Sequence, residues 1–303
     1  MIFEGAESVI DVIREKKRLM DAGEAHEHIK PLLIIDGGLM KGAYGAGAVE
    51  ALEALGYTQT FSNVVGISSG APTAVYFLAG EVRAKLSKCY EEFVSSKIIN
   101  VWRIWNQIDT REFDAIFQGK TGKGVDADKV LSSPAKLMIG VADFDTAHPV
   151  LLHPKNADEL FRAVHASILM PNVSTNRVTI NDIRYVDGGF TRPHILKQSI
   201  DEVDATHVLV ITNQDKTMTP IPFLERFFNH TLYRWRMPKA LRFAAHERRK
   251  ERMKAIAYME EHYDIPYALV WGDHSIKSAE RNLTKIQSVI DKSRRWWLDL
   301  LAK

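Results

Sequence analysis

Short apolar runs alternate with longer stretches of helical spacing along most of the chain. Five of the runs have the length and composition of buried strands. Such an alternation favours an α/β fold in which helices cover a mainly parallel sheet. The strand candidates are residues 32–35, 64–67, 137–142, 208–212 and 268–271.

A helix is predicted over residues 6–20, ahead of the first buried strand. The chain has 303 residues, 46% of them hydrophobic, and can therefore bury one large α/β core. We expect one domain in three segments: an N-terminal helical segment (1–30), a core (31–212) and a helical, basic C-terminal region (213–303) that completes it.

Charge and cysteine content change this picture little. The formal net charge of +2 gives no global attraction to nucleic acid, and we expect none to bind. The single cysteine, Cys89, cannot form an intramolecular disulfide and fits a reducing compartment. No run approaches the roughly 20 apolar residues of a membrane span. We expect a cytoplasmic protein whose contact with lipid is at most peripheral.

A sharp turn between a strand and a helix is predicted at residues 66–70, Gly-Ile-Ser-Ser-Gly. In a G-x-S-x-G turn the central residue, here Ser68, is lifted out of the sheet. Gly66 and Gly70 leave room where a side chain would meet the neighbouring strand and helix. The pattern also occurs by chance, so its interpretation as a nucleophile elbow depends on the motifs around it.

A glycine-rich loop at residues 36–42 joins the first core strand to a helix predicted from Ala43. Free N–H groups at the start of a helix attract anions. The spacing of a phosphate-binding P-loop is absent. Beside an elbow serine we favour an oxyanion hole formed by the amides of Gly37, Gly38 and Leu39, and a purely structural turn is the alternative.

An Asp-Gly-Gly sequence begins at Asp187, after an apolar segment that starts near Val178. Alone, this sequence indicates a turn. Together with Ser68 and the glycine-rich loop, Asp187 supplies a carboxylate that takes the serine proton directly. We expect Asp36, Ser68 and Asp187 to meet at the carboxyl ends of the strands.

These three motifs, in this order, resemble those of the patatin-like phospholipases, whose loop reads D-G-G-G-x-R-G and whose aspartate motif is D-G-G or D-G-A. Residues 165–171 also resemble the family's Ala-Ser-x-x-x-Pro segment, so the resemblance covers about residues 31–212. It implies a three-layer α/β/α core that hydrolyses carboxylic esters of lipids, of phospholipase A or lysophospholipase type, without metal or cofactor. It also implies the following roles: nucleophile Ser68, base Asp187, oxyanion amides at Gly37, Gly38 and Leu39, and loop support from Lys41 and Gly42.

Two residues depart from the family pattern. Leu39 stands in place of the third glycine, and its amide remains a donor if the turn needs no positive φ there. Lys41 replaces the arginine, which keeps the charge but loses the planar guanidinium. We expect these differences to affect efficiency and substrate choice more than the type of reaction.

Two other functions remain open from the sequence. A Ser-His-Asp esterase of the α/β-hydrolase type would use His194, His207 or His274, of which His274 follows a strand and is the best candidate. The second alternative is a non-catalytic lipid-binding protein on the same fold.

The C-terminal third contains one strong charge imbalance. Residues 234–254 hold nine Lys and Arg against two Glu, interleaved with aromatic residues. Such a segment docks on an anionic membrane or forms the solvated face of a packed helix, and we favour the latter. Trp296 and Trp297 pose the same choice, and we again expect a docked helix.

Overall fold

The computed structural model describes residues 1–95, 98, 109–171, 174, 176–214, 236–245, 261, 264–273 and 275–302. In this part of the chain, helices cover a mixed, mostly parallel sheet of nine strands, and the predicted α/β class is confirmed. The strands are β1 (Ile2–Gly5), β2 (Pro31–Ile35), β3 (Asn63–Ile67), β4 (Lys136–Asp143), β5 (Pro149–Leu152), β6 (Val178–Ile180), β7 (Ile183–Asp187), β8 (His207–Thr212) and β9 (Tyr267–Trp271).

The helices lie between the strands and after the last one. A short 3-10 turn precedes α2, a π-helical turn precedes α4, and a second 3-10 turn follows β7. The helices are α1 (Ser8–Ala22), α2 (Ala43–Ala54), α3 (Gly70–Leu78), α4 (Ser87–Phe93), α5 (Thr110–Phe117), α6 (Ala127–Leu131), α7 (Ala157–Ile168), α8 (Arg192–Asp201) and α9 (Leu283–Leu301). None of the described helices has the length and hydropathy that a bilayer span requires.

The strand order is β1-β9-β8-β2-β3-β4-β7-β6, and β5 also pairs with β4. The five strands predicted from the sequence are the five parallel ones, from β9 to β4. Their bounds differ from the predicted ones by one residue at most. Strands buried on both faces give continuous apolar runs, which explains why these five were recognisable.

The four strands that the apolar runs did not indicate all pair antiparallel. β1 pairs with β9, so that Ile2 lies opposite Trp271, and the N-terminal segment is therefore not helical throughout. The first helix begins at Ser8 rather than at residue 6. β1 carries no clear local pattern, because it is short and none of its residues is buried.

The last helix, α9, packs against α2. A Cβ on Gly47 would lie 2.3 Å from the carbonyl oxygen of Ile290, so the two helices are in close backbone contact there. The Ser293 hydroxyl donates a 2.7 Å hydrogen bond to the Tyr44 carbonyl. The Trp297 side chain is fully buried, which confirms a docked helix rather than an interfacial anchor. The division of the domain into three segments stays a prediction.

Candidate active site

The turn between β3 and α3 has the geometry of a nucleophile elbow. Ser68 has a φ of 54°, in the left-handed region, which costs a non-glycine residue about 1–2 kcal/mol. A Cβ on Gly70 would lie 2.0 Å from the carbonyl oxygen of Ile35, and one on Gly66 would lie 2.6 Å from the Cα of Ala71. The glycines are therefore required because backbone occupies the space of a side chain.

Gly70→Ala is expected to lower the free energy of unfolding by about 3 kcal/mol or more, because the new methyl group meets the rigid backbone of β2. Gly42→Ala is the matched control. Its Cβ would lie 3.0 Å from Ser69 Oγ and Tyr90 Oη, which are ends of side chains that can shift, and we expect a loss of about 1 kcal/mol. Urea denaturation measures both, and equal losses would contradict this account of the elbow.

Ser68 and Asp187 form a buried, hydrogen-bonded pair. Ser68 Oγ donates to Asp187 Oδ2 over 2.7 Å. The second carboxylate oxygen, Oδ1, accepts a 2.6 Å hydrogen bond from the Gly189 N–H. Only 6% of Ser68 and 4% of Asp187 are exposed. The carboxylate is thus fixed in orientation and faces the serine hydroxyl.

Asp187 reaches this position from an unexpected direction. It ends β7, which is antiparallel to β4, so the chain approaches the carboxyl edge of the parallel strands, where Asp36 and Ser68 lie, from the direction opposite to β2 and β3. In β4, Gly140 lies opposite Ile67 and the next residue lies opposite Asp187. β4 continues beyond the end of β3, and β7 returns along it to bring the carboxylate level with Ser68.

Ser167 holds the elbow in place. Its hydroxyl accepts a 2.8 Å hydrogen bond from the Ser68 N–H and donates one of 2.8 Å to the Gly140 carbonyl. Ser167 is fully buried near the end of α7. It belongs to the segment that resembles Ala-Ser-x-x-x-Pro, but nothing in the sequence assigned it this contact.

The glycine-rich loop follows β2 and is held from β8. The Asn213 side-chain amide donates to the Asp36 carbonyl, and Gln214 Nε2 donates to the Gly37 carbonyl over 3.1 Å. The Gly37 N–H donates to the Asp36 carboxylate over 2.7 Å, so this amide is already engaged. Within the described part of the chain, the amides of Gly38 and Leu39 donate to no acceptor.

The loop requires a left-handed backbone at Leu39, where φ is 54°. A leucine adopts this conformation at a cost of about 1–2 kcal/mol, which the family's glycine would avoid. Its side chain contributes to the wall of a pocket beside Ser68. Gly37 must remain glycine, because a Cβ there would lie 2.4 Å from Ser68 Cβ.

Lys41 and Gly42 close the loop in a 3-10 turn that leads into α2. The Lys41 N–H donates to the Gly38 carbonyl over 3.1 Å, and the Lys41 side chain is half-buried. A Cβ on Gly38 would lie 3.1 Å from Lys41 Cβ. The Lys41 Cβ therefore lies close to Gly38, whose amide is one of the two open ones.

The pocket beside Ser68 is lined mainly by apolar and aromatic side chains. They come from the glycine-rich loop and from α3, α4 and α5, and the aromatic rings of α4 and α5 pack on one another. Such a lining suits a hydrocarbon chain. The side chains that dominate the wall are Leu39, Met40, Leu86, Tyr90, Phe93 and Phe113.

The other candidates are placed as follows. His194 is exposed on α8, and His207 begins β8 at the end of the sheet opposite Ser68. His274 lies outside the described residues, as do residues 234–235 and 246–254 of the basic segment.

Cys89 is buried in α4, and burial raises the pKa of its thiol to about 11, as expected of a structural cysteine.

A model of the family described as patatin-like phospholipase matches residues 33–198, more than half of the chain. VipD from Legionella pneumophila is structurally similar, with 9% identity, a TM-score of 0.41 and coverage of 90% of this chain and 67% of VipD.

ExoU, in complex with SpcU from the type III secretion system of Pseudomonas aeruginosa, is 18% identical, with a TM-score of 0.35 and coverage of 79% of this chain and 53% of ExoU. A second ExoU structure gives 12% identity, a TM-score of 0.35 and coverage of 90% and 53%. The chain thus spans about half of the length of ExoU. No curated protein sequence matches the chain.

Proposed function

Because the chain belongs to the patatin-like phospholipase family, we propose that it is a serine acyl hydrolase that uses Ser68 and Asp187. Its substrates are carboxylic esters of lipids, of phospholipase A or lysophospholipase type. The observation that carries this proposal is the 2.7 Å hydrogen bond from Ser68 Oγ to Asp187 Oδ2 in a buried site beside an apolar pocket.

In the proposed reaction Ser68 Oγ attacks the ester carbonyl while its proton passes to Asp187. The negative charge that develops on the carbonyl oxygen is stabilised by the amides of Gly38 and Leu39. Asp187 then gives the proton to the leaving alcohol. A water molecule, deprotonated by Asp187, attacks the acyl-enzyme, and the carboxylic acid leaves as Asp187 returns the proton to Ser68 Oγ.

Gly37 has a different part in this scheme from the one expected from the sequence. The Gly37 N–H donates a hydrogen bond to the Asp36 carboxylate. This contact supports a role for Gly37 in shaping the loop rather than in binding the oxyanion. Its missing side chain leaves room for Ser68. The proposed oxyanion hole therefore consists of two amides in place of three.

The hydrolase proposal is tested with purified protein, a lysophospholipid and a short-chain chromogenic ester. Release of fatty acid from the lipid and of chromophore from the ester is expected. A non-catalytic lipid-binding protein would bind the lipid without turnover of either substrate.

Lys41→Ala is expected to lower kcat/KM about tenfold with little loss of stability, whereas Lys41→Arg retains activity. The reason is that a positive charge behind the loop favours the oxyanion, and both Lys and Arg supply it. The rate of ester hydrolysis and the thermal unfolding temperature are measured for wild type, Lys41→Ala and Lys41→Arg. Equal activity in all three would exclude Lys41 from the chemistry.

Peripheral contact with anionic membranes is tested at the basic segment. If residues 234–254 dock on lipid, vesicle binding rises with anionic lipid content and falls with salt, since each basic residue contributes about 1 kcal/mol near the surface. Neutralising Arg248, Arg249, Lys250 and Arg252 then lowers co-sedimentation with vesicles and spares hydrolysis of a soluble ester. No dependence on anionic lipid supports the solvated face, which we favour.

A further inference from the structure

Four side chains form a hydrogen-bonded relay in the wall of the pocket. Asp114 Oδ2 lies 2.6 Å from His165 Nδ1, and His165 Nε2 lies 2.9 Å from Thr110 Oγ1. Asn176 Nδ2 donates to the same Thr110 oxygen over 2.5 Å. We call these four residues the Thr110 relay. Neither Ser68 nor Asp187 takes part in it.

The relay crosses the wall from the outside to the pocket. Thr110 is 1% exposed and lines the pocket that opens at Ser68. The side chains of His165 and Asp114 are 16% and 21% exposed and line a separate polar depression on the other side. Thr110 thus contributes a polar side chain, whose hydroxyl is held by the relay, to a wall that is otherwise mainly apolar.

The hydrogen-bonding capacity of the Thr110 hydroxyl is not exhausted by the relay. A hydroxyl donates once and accepts twice, and Asn176 occupies one lone pair. Because the Asp114 carboxylate accepts from His165 Nδ1, neutral His165 accepts the Thr110 proton at Nε2, and charged His165 donates to the second lone pair. In either state one hydrogen-bonding position of the Thr110 hydroxyl remains that no described residue fills.

We propose that Thr110 binds an oxygen substituent on the acyl chain of the substrate, so that the enzyme prefers hydroxylated acyl esters to plain ones of equal length. This inference rests on the proposed acyl hydrolase function. A plain chain would leave the remaining position of Thr110 without a partner, whereas a chain hydroxyl fills it. The substituent lies on the acyl side because the aromatic walls formed by Tyr90, Phe93 and Phe113 suit a hydrocarbon chain.

In this proposal Thr110 determines specificity, and His165, Asp114 and Asn176 position it. The relay also joins α5 to α7, so its loss affects stability. A purely structural relay would change the hydrolysis of all esters alike. The ratio of kcat/KM between two substrates separates the roles, because both substrates meet the same folded enzyme.

The experiment compares a chromogenic decanoate ester with a set of its hydroxydecanoate counterparts, in which the hydroxyl is moved along the chain one carbon at a time. Wild-type enzyme is expected to prefer the best hydroxy ester about tenfold or more. Thr110→Val, which keeps the shape and removes the hydroxyl, brings the ratio close to one. Thr110→Ser retains the preference, and His165→Ala lowers it at least about threefold.

Three results would overturn the proposal. The first is hydrolysis by wild type without a preference for any hydroxy ester, and the second is an unchanged preference in Thr110→Val. The third is a preference that follows a hydroxyl placed on the alcohol side of the ester instead. Absence of hydrolysis of every ester by wild type would overturn the proposed function as well, which distinguishes the two failures.

Discussion

Ser68→Ala is expected to abolish ester hydrolysis, with a loss of at least about 10⁴-fold in kcat, whereas Ser69→Ala retains most of the activity. The two serines are adjacent, but only Ser68 has the left-handed backbone of the elbow and donates its hydroxyl to Asp187. The measurement is hydrolysis of a chromogenic ester by both variants, with thermal unfolding as a check on folding.

The Ser69 variant is the matched control because it removes the same atom one residue away. Within the described residues, Ser69 Oγ makes no hydrogen bond, so its removal leaves no partner unsatisfied. Wild-type turnover by Ser68→Ala would rule out Ser68 as the nucleophile. A comparable loss in Ser69→Ala would assign the effect to distortion of the turn.

Asp187→Asn is the substitution with the second large expected effect. We expect it to lower kcat about 10³–10⁴-fold with the fold retained. The asparagine oxygen can still accept from the Gly189 N–H. Its amide group then faces Ser68 Oγ, where it donates a hydrogen bond and cannot take a proton. The activity and thermal unfolding of this variant are measured beside those of wild type.

His274→Ala is the companion variant, since a Ser-His-Asp esterase depends on a histidine. We expect it to lose little activity, because Asp187 contacts Ser68 directly. A large loss in His274→Ala together with a small one in Asp187→Asn would assign the protein to the Ser-His-Asp class. Activity is compared at equal concentrations of folded enzyme.

The sequence predicts the centre of the sheet better than its edges. β2 and β3 are continuous apolar runs followed by glycine-rich turns, and both signals are local. β1 is short and half-exposed, and its partner lies at the other end of the chain. Its strand conformation depends on tertiary pairing, which local periodicity does not encode.

Some residues of the candidate site could be predicted from local sequence motifs, and others could not. Gly37, Ser68 and Asp187 lie in motifs whose residue types have a local reason, a tight turn or a charge after a strand. Ser167 and Thr110 are ordinary residues of helices α7 and α5, and only packing brings them to the site. The antiparallel course of β7 was likewise not indicated, since an apolar segment carries no sign of its direction.

The backbone conformation of Leu39 could not be predicted from its residue type. Leucine rarely adopts a positive φ, so the sequence left open whether the turn needs one. The structure has a φ of 54° at Leu39, in a loop whose preceding residues Asp36 and Gly37 accept hydrogen bonds from Asn213 and Gln214. Tertiary contacts thus override the local preference.

Whether Ser68 is an activated nucleophile is decided by labelling the protein with a fluorophosphonate and mapping the modified peptide. An activated serine attacks the phosphorus and remains covalently bound to it. We expect one label, on Ser68, which disappears in Ser68→Ala and weakens strongly in Asp187→Asn. A label on another serine, or no label on folded wild-type protein, would contradict it.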